Sequence, residues 1–262
     1  MSKREGMPVV VTIGGSDSGG GAGVQADLKT FLALGVHGTS VVTCVTAQNP
    51  LRVISVEPLP PRTVRAQLDA IFSAFEPRAC KVGMLYSAAI LREVAGFFQS
   101  VKPRFLVVDP LLISTSGAPL LQPDAMRSLR RLLLPMADLI TPNLAEAEWL
   151  SGRNIRNQSD MRAAAERLFS DLGSPVLIKG GHLPDRTKAH DIYRDRDREL
   201  ILSAPYVRGV STHGTGCTYS AAIAANYALG HSLPNALALA KKFITRAISR
   251  SRRVGAHRVL AW

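Results

Sequence analysis

The chain has few cysteines, few aromatic residues and no long apolar run, and each shortage excludes a class of protein. Its three cysteines, Cys44, Cys80 and Cys217, are an odd and widely spaced set, which argues against a disulfide scaffold and against a zinc site. No stretch approaches the roughly 20 apolar residues that a membrane-spanning helix needs. Because the N-terminus shows neither an apolar signal core nor a cleavage site, we expect a cytoplasmic protein.

Acidic residues are also scarce relative to basic ones, and the net charge of +12 raises a nucleic-acid hypothesis. The basic residues are mostly dispersed, however. The densest run, Arg246, Arg250, Arg252 and Arg253, falls at the end of the last predicted helix, where cations suit the helix dipole. Aromatic residues make up only 6% and do not alternate with basic ones, as base stacking would require. We therefore expect no nucleic-acid partner.

Short β-branched runs alternate with amphipathic stretches along most of the 262 residues. The pattern predicts strands at 9–13, 39–46, 80–84, 105–109, 139–141 and 175–179. It predicts helices at 24–34, 61–75, 88–98, 123–134, 161–172 and 233–250, one around Glu146, and one that includes the apolar segment 219–225. Ser159 is the predicted cap of the helix at 161–172. Residues 189–207 predict antiparallel edge strands. Such alternation is typical of one doubly wound, mainly parallel α/β sheet, so we expect a single domain over 1–262.

Polar and special-geometry residues follow the predicted strands one after another. They are Gly15 to Asp17, Gln48, Met84, Asp109, Asn143, Glu146 and Lys179. In parallel sheets ligands bind beyond the carboxyl ends of the strands, so we expect these residues to share one edge. The sequence therefore predicts a ligand site there.

Residues 212–218, Thr-His-Gly-Thr-Gly-Cys-Thr, predict a glycine turn that opens an alanine-rich helix. Gly214 and Gly216 let backbone N–H groups converge at the positive end of the helix dipole, where a phosphate is stabilised. Cys217 at this helix N-terminus should have a lowered pKa and could act as a base. A glycine loop before a buried helix, with Cys217 only filling space, is the alternative interpretation.

The other glycine-rich stretch, residues 14–23, follows the first predicted strand. It contains neither a Gly-x-Gly-x-x-Gly spacing nor the Gly-Lys-Ser/Thr of a P-loop, which weakens both standard nucleotide-binding interpretations. The loop could still let a small ligand approach the backbone, and a flexible turn is the alternative.

Seven segments, taken in order, resemble the hydroxymethylpyrimidine and phosphomethylpyrimidine kinases of thiamine biosynthesis, within the ribokinase-like superfamily. They are 12–23 with 25–30, 45–49, 81–85, 108–110 with 114–117, 141–147, 179–182 and 213–218. The resemblance implies a three-layer ribokinase-like fold. It also implies use of ATP with Mg²⁺ to phosphorylate 4-amino-5-hydroxymethyl-2-methylpyrimidine and then its monophosphate. Pyridoxine or pyridoxal kinase is the related alternative, and a nucleotide-binding regulator without activity is the third.

The resemblance also implies roles for single residues. Cys217 stands where sugar kinases of the superfamily have a catalytic Asp, so it becomes the expected base; a role limited to orienting the acceptor hydroxyl stays open. Gly214, Thr215 and Gly216 would form the anion hole. Gly15, Asp17, Gln48, Met84 and Leu111 would bind the pyrimidine; Asn143, Lys179 and Thr215 would bind ATP; Glu146 and Asp109 would hold the metal. His213 could contact a phosphate or only a local turn. The expected assembly is a homodimer, which no motif specifies.

The sequence departs from the family pattern at three places. Leu111-Leu112 replaces a common Val-Met pair, which could reshape the ring pocket, and Ala118 stands where an acidic residue is frequent. Residues 252–262 lack the glycine-rich ending of relatives, so how this segment closes the nucleotide side is left open.

Overall fold

Nine strands form one central sheet in the computed structural model, which describes residues 6–113, 119–183, 187–208 and 213–262. The strands are β1 (Val9–Asp17), β2 (His37–Asn49), β3 (Arg52–Pro58), β4 (Ala79–Val82), β5 (Leu106–Val108), β6 (Leu139–Ile140), β7 (Val176–Lys179), β8 (Lys188–Arg194) and β9 (Glu199–Pro205). Their order is β3-β2-β1-β4-β5-β6-β7-β8-β9. The six strands from β2 to β7 in this order are parallel, and β3, β8 and β9 are antiparallel additions at the two ends.

Helices cover both faces of this sheet. They are α1 (Gly23–Ala33), α2 (Pro61–Ala74), α3 (Ala88–Ser100), α4 (Pro123–Ser128), α5 (Leu144–Ser151), α6 (Gln158–Leu172), α7 (Thr215–Ala228) and α8 (Leu233–Ser249). Successive strand residues point to opposite faces. In β5, Val107 joins the core with α1, α7 and α8, whereas Leu106 and Val108 join the core with α2 to α6. The predicted three-layer α/β fold is confirmed.

The sequence predictions missed two parts of the fold and misplaced two features of the helices. β3 was not predicted, and neither was the hairpin of β10 (Arg252–Val254) and β11 (His257–Val259). Arg252 and Arg253 therefore lie on a strand and not at the end of α8. Asn157, not Ser159, caps α6: its side chain accepts a 2.9 Å hydrogen bond from the Asp160 N–H, because the helix already begins at residue 158.

The C-terminal segment packs against the layer of α1, α7 and α8. Leu260 is buried, and the Trp262 indole donates a 3.1 Å hydrogen bond to the Thr30 hydroxyl of α1. The departures at Ala118 and the motif segment 114–117 lie outside the described residues, as does Thr212. None of the described helices has both the length and the apolar character needed to cross a membrane.

A buried ion pair joins β8 to the last two helices. The Asp191 carboxylate accepts hydrogen bonds from Lys241 Nζ of α8 at 2.6 Å and from the Tyr219 hydroxyl of α7 at 3.0 Å. Its other oxygen accepts from the Gly180 N–H at 3.0 Å, just beyond β7. Three elements and the end of a strand are thus held by one carboxylate, which is only 2% exposed.

We expect Lys241→Met to lower the free energy of unfolding by about 3–5 kcal/mol, because it leaves the Asp191 charge buried without its cationic partner. Urea denaturation measures this change. Arg104→Met is the control, since it removes an ion pair with Glu76 that lies at the surface and should hardly move the midpoint. Equal effects of the two variants would show that burial of the pair is unimportant.

Candidate active site

The predicted glycine turn is present at the start of α7. Gly214 precedes the helix with a φ of 82°, a conformation that favours glycine, and a Cβ there would overlap the Gly21 carbonyl oxygen of the other glycine-rich loop. No side-chain hydrogen bond caps α7 within the part of the chain that the structure describes. The first N–H groups of a helix have no intrahelical acceptors and lie at the positive end of its dipole, so the start of this 14-residue helix suits an anion.

A buried ion pair faces this turn. Lys179 Nζ at the end of β7 donates a 2.6 Å hydrogen bond to Asp109, which follows β5. A Cβ built on Gly216 would lie 3.3 Å from that Nζ and 3.8 Å from Asp109 Oδ2, so the absence of a side chain at Gly216 lets the backbone meet the charges. Thr141 and Ser220 donate to the two Asp109 oxygens at 3.0 and 3.3 Å. Both oxygens of Asp109 are therefore already hydrogen-bonded.

The ion pair remains charged although it is buried. Burial opposes ionisation of Asp109, but the charges of Lys179 and Lys81 and the hydrogen bonds lower its pKa on balance. Burial likewise opposes protonation of Lys179, but the charges of Asp109 and Glu146 raise its pKa. A permanent cation thus lies beside the anion-binding turn.

Glu146 lies in the first turn of α5, where it forms a reciprocal cap with Asn143, the residue that precedes the helix. Its Oε2 accepts from the Asn143 N–H at 2.8 Å, and the Asn143 side chain accepts from the Glu146 N–H at 2.9 Å. Its Oε1 is buried and makes no hydrogen bond of good geometry in the described part of the chain, although the Leu112 N–H is close enough to favour the ionised carboxylate. Burial, with a smaller contribution from Asp109, raises the pKa of Glu146 to about 7 against the opposing charge of Lys179.

That free Glu146 oxygen fits a cation ligand, because an unpaired buried carboxylate oxygen is stabilised by a metal or a water. Asp109 is less suited as a cation ligand, because its oxygens already accept hydrogen bonds from Lys179, Thr141 and Ser220. Among the described residues, no group of three or more His, Cys, Asp or Glu side chains could enclose a metal ion. The arrangement suits a cation that one carboxylate and a nucleotide hold together.

Three polar side chains connect the glycine-rich loop after β1 to the turn of α7. Asp17 accepts from the backbone N–H groups of residues 19, 21 and 22 at 2.8–3.1 Å, and its Oδ2 lies 3.1 Å from His213 Nε2. The same His213 atom lies 3.0 Å from Gln48 Nε2. Burial opposes ionisation of Asp17, but these hydrogen bonds, with that of His213 the strongest, lower its pKa. Asp17 therefore holds the loop, and His213 contacts Asp17 and Gln48.

A small sulfur-rich cluster lies above Gly15. A Cβ on Gly15 would lie 2.9 Å from Cys44 Sγ and 3.1 Å from Met84 Sδ, so only glycine fits beneath these side chains. Leu111 packs against the same cluster. The structure thus brings together Gly15, Met84 and Leu111, as the sequence predicted, and adds Cys44.

Cys217 lies in the first turn of α7 and is 5% exposed. Burial raises the pKa of Cys217 to about 11, although the charge of Lys81 and the Gly23 N–H favour the thiolate. The prediction of a lowered pKa was wrong, because desolvation of the thiolate outweighs the helix terminus.

Lys81 and Asp27 are buried charged residues that the sequence analysis missed. Lys81 Nζ donates a 2.8 Å hydrogen bond to Asp27, to which the Thr12 hydroxyl also donates. The available signal was a lysine in the middle of an apolar strand, where a charge needs a partner.

The predicted residues thus form two groups, which we name after their predicted roles. The phosphate side consists of Lys179, Asp109 and the turn of α7, and the ring side consists of Gly15, Met84 and Leu111. Gln48 contacts His213, the residue before Gly214, so the two sides adjoin. The expectation that the strand ends share one edge is confirmed by the parallel pairing of β1 with β2 and β4, and of β4 to β7 in turn.

The chain is similar to known kinases over almost its whole length. A family model described as phosphomethylpyrimidine kinase matches residues 17–261. A Haemophilus influenzae hydroxymethylpyrimidine/phosphomethylpyrimidine kinase is 45% identical, covering 94% of this chain and 93% of that protein. The crystal structure of a Clostridium difficile phosphomethylpyrimidine kinase has a TM-score of 0.81 at 41% identity, covering 92% of this chain and 99% of that one. Pyridoxal kinase from Staphylococcus aureus, in complex with AMP-PCP and pyridoxal, has a TM-score of 0.88 at 33% identity, with 98% and 94% covered.

Gly214→Ala should destabilise the protein more than Gly173→Ala does. Both glycines have a positive φ, which costs alanine about 1–2 kcal/mol, but only Gly214 also has a carbonyl oxygen where the Cβ would lie, whereas nothing lies within 4 Å at Gly173. The overlap should add about 1–3 kcal/mol. Urea denaturation of both variants measures the difference, and equal losses would argue against the tight loop contact.

Glu146→Gln should change the pH dependence of stability. Because folding raises the pKa of Glu146 from 4.5 to about 7, the folded state binds this proton more tightly, and stability falls as the pH rises through that range. Glutamine does not titrate, so the free energy of unfolding of the variant should rise relative to that of the wild type between pH 4.5 and 7. Above pH 7 the difference between the two proteins should stay constant. Urea midpoints across pH measure this, and a difference independent of pH would contradict the raised pKa.

Proposed function

The chain belongs to the phosphomethylpyrimidine kinase family and is an ATP-dependent kinase, and we propose that its acceptor is 4-amino-5-hydroxymethyl-2-methylpyrimidine and then the monophosphate of that alcohol, in thiamine biosynthesis. The observation that carries the proposal is the anion-binding turn of α7 beside the Lys179–Asp109 pair, next to the ring side of the site. Residues 1–262 act as one kinase domain in this proposal.

The phosphate side supplies positioning and charge. Phosphoryl transfer passes through a loose transition state whose charge is spread over the phosphoryl oxygens, so catalysis depends on fixed cations and dipoles. Lys179 provides the fixed cation, and Asp109 prevents it from moving. The backbone N–H groups of Gly214, Thr215 and Gly216 bind the transferring group. Asn143 contributes to nucleotide binding from the start of α5.

Glu146 is the residue that would hold Mg²⁺, through its unpaired Oε1. Mg²⁺ bridges nucleotide phosphates in kinases and neutralises charge that develops on them. In this role the raised pKa of Glu146 favours ligation above about pH 7, where the carboxylate is ionised.

Cys217 accepts the hydroxyl proton in the first reaction. The acceptor oxygen forms its bond to the γ-phosphorus, the bond from that phosphorus to the β–γ bridging oxygen breaks, and the proton passes to the Cys217 thiolate. Because burial raises the pKa of Cys217 to about 11, the thiolate is the minor form at neutral pH, and the first reaction should accelerate with pH.

The second reaction does not require Cys217 to act as a base. Its acceptor is a phosphate oxygen, which is ionised at neutral pH because a phosphomonoester has a second pKa of about 6. No proton has to be removed, so a base contributes little. Substitution of Cys217 should therefore slow only the first reaction if Cys217 is a base, and both reactions if it only orients the acceptor.

On the ring side, Gln48 offers the donor and acceptor that an aminopyrimidine edge requires. Gly15 contributes by leaving room for the Cys44 and Met84 side chains that would border the ring. Met84 and Leu111 would enclose its faces. Asp17 contributes by holding the loop, since its carboxylate already accepts from three N–H groups.

Pyridoxal is the second candidate acceptor. The observation that favours it is the TM-score of 0.88 with a pyridoxal kinase, but the identity is 33%, against 45% for the Haemophilus influenzae hydroxymethylpyrimidine/phosphomethylpyrimidine kinase. The ring pocket decides between them, because discrimination is a difference in transition-state binding.

We expect Mg²⁺- and ATP-dependent turnover of the pyrimidine alcohol and of its monophosphate, followed by ADP release. Cys217→Ala should lower kcat for the alcohol about 10²- to 10⁴-fold and change kcat for the monophosphate far less, with the folded state retained. Cys80→Ala, a buried thiol on the other face of the sheet, is the control. No turnover of either acceptor by the wild type would reject the proposed function, and equal losses for both would reduce Cys217 to a positioning residue.

A further inference from the structure

The turn between β4 and α3 contains a strained tyrosine. Tyr86 has a φ of 61° and is the one residue other than glycine with a positive φ among residues 6–113, 119–183, 187–208 and 213–262. The Ser87 N–H donates a 2.7 Å hydrogen bond to the Leu85 carbonyl, which closes a three-residue turn centred on Tyr86. The positive-φ form of this turn is rare and strained, and glycine adopts it at no steric cost.

Neighbouring contacts hold Tyr86 in this conformation. Its carbonyl accepts a 2.7 Å hydrogen bond from the Gln122 N–H, and it forms an isolated bridge with Leu121. Ser87, the next residue, caps α3 by accepting from the Ile90 N–H at 3.3 Å. Strained residues held in this way are found mostly at functional sites. Because glycine would adopt this turn without strain, the presence of a tyrosine points to a role for its side chain.

The Tyr86 side chain packs against the cluster that lies above Gly15. The cluster consists of Cys44, Met84 and Leu120, with Leu111 and Val56 at its margin. Tyr86 is itself partly exposed, so its ring forms part of the boundary between this cluster and the surroundings. Tyr86 therefore borders the same cluster whose Cys44 and Met84 sulfur atoms lie over Gly15.

We propose that Tyr86 is a specificity-determining residue, whose ring limits the size of the acceptor that binds against the cluster of Met84 and Leu111. The inference rests on the proposed function, since it concerns the acceptor of that same site. A hydroxymethylpyrimidine carries a methyl, an amino and a hydroxymethyl group, whereas pyridoxal carries four substituents on its ring. A rigid aromatic wall rejects the additional group, and one such group is worth about 10- to 200-fold in discrimination.

Tyr86→Gly removes the ring and relieves the strained turn. We expect kcat/KM for the pyrimidine alcohol relative to pyridoxal to fall at least tenfold, through a higher KM for the pyrimidine and a gain in pyridoxal turnover. KM for ATP should stay within twofold. Tyr86→Asn is the second variant if the glycine variant folds poorly, because asparagine tolerates a positive φ and also lacks the ring. Tyr86→Phe keeps the ring and should keep the wild-type ratio.

Phe75→Ala is the matched control, because Phe75 is a partly exposed aromatic residue that follows α2 outside the cluster. It should leave the acceptor ratio unchanged. If the wild type phosphorylates the pyrimidine but Tyr86→Gly and Tyr86→Asn leave the ratio of kcat/KM for the two acceptors unchanged, the role of Tyr86 is overturned. The proposed function then remains intact. A ratio lost equally in Tyr86→Phe would also overturn it, since the hydroxyl and not the ring would then select. A wild type that turns over no pyrimidine would reject the proposed function itself.

Discussion

The site depends on a pair of opposite charges removed from water. Lys179 lies at the end of β7 and Asp109 follows β5, and burial opposes the charged form of each, so each charge depends on its partner. Thr141 and Ser220 supply the remaining hydrogen bonds, so β6 and α7 are attached to the same carboxylate. The positive charge at the phosphate side is therefore fixed by four elements, and it does not have to be reoriented when an anion arrives.

The pattern of the sequence was sufficient for the architecture and for the edge that carries the site. Parallel strands place their carboxyl ends together, so residues as distant as Gly15 and Lys179 could be assigned to one edge before their contacts were known. Edge elements were harder, because β3 and the β10–β11 hairpin are largely exposed, and the hydrophobic periodicity of an exposed strand is weak.

What the sequence could not predict was how buried each charged or reactive group is. The pKa of Cys217 was misjudged because a helix terminus is a local feature, whereas desolvation depends on the packing of α7 against the sheet. Asp17 raised a similar difficulty. Whether a carboxylate after a strand binds a ligand or its own loop depends on where three backbone N–H groups point, and no spacing rule determines that. The pairing of Lys81 with Asp27 is likewise a matter of tertiary contact.

If Glu146 holds Mg²⁺ as proposed, the cap at the start of α5 would also affect ion selectivity. Because one oxygen of Glu146 is committed to the Asn143 backbone, the carboxylate can offer a cation a single oxygen and not a chelating pair. Small octahedral ions keep most of their water and need few protein oxygens, whereas Ca²⁺ collects six to eight oxygens and often takes both from one carboxylate. In the proposed role of Glu146, the hydrogen bond that fixes where the helix begins would thus also disfavour the larger ion.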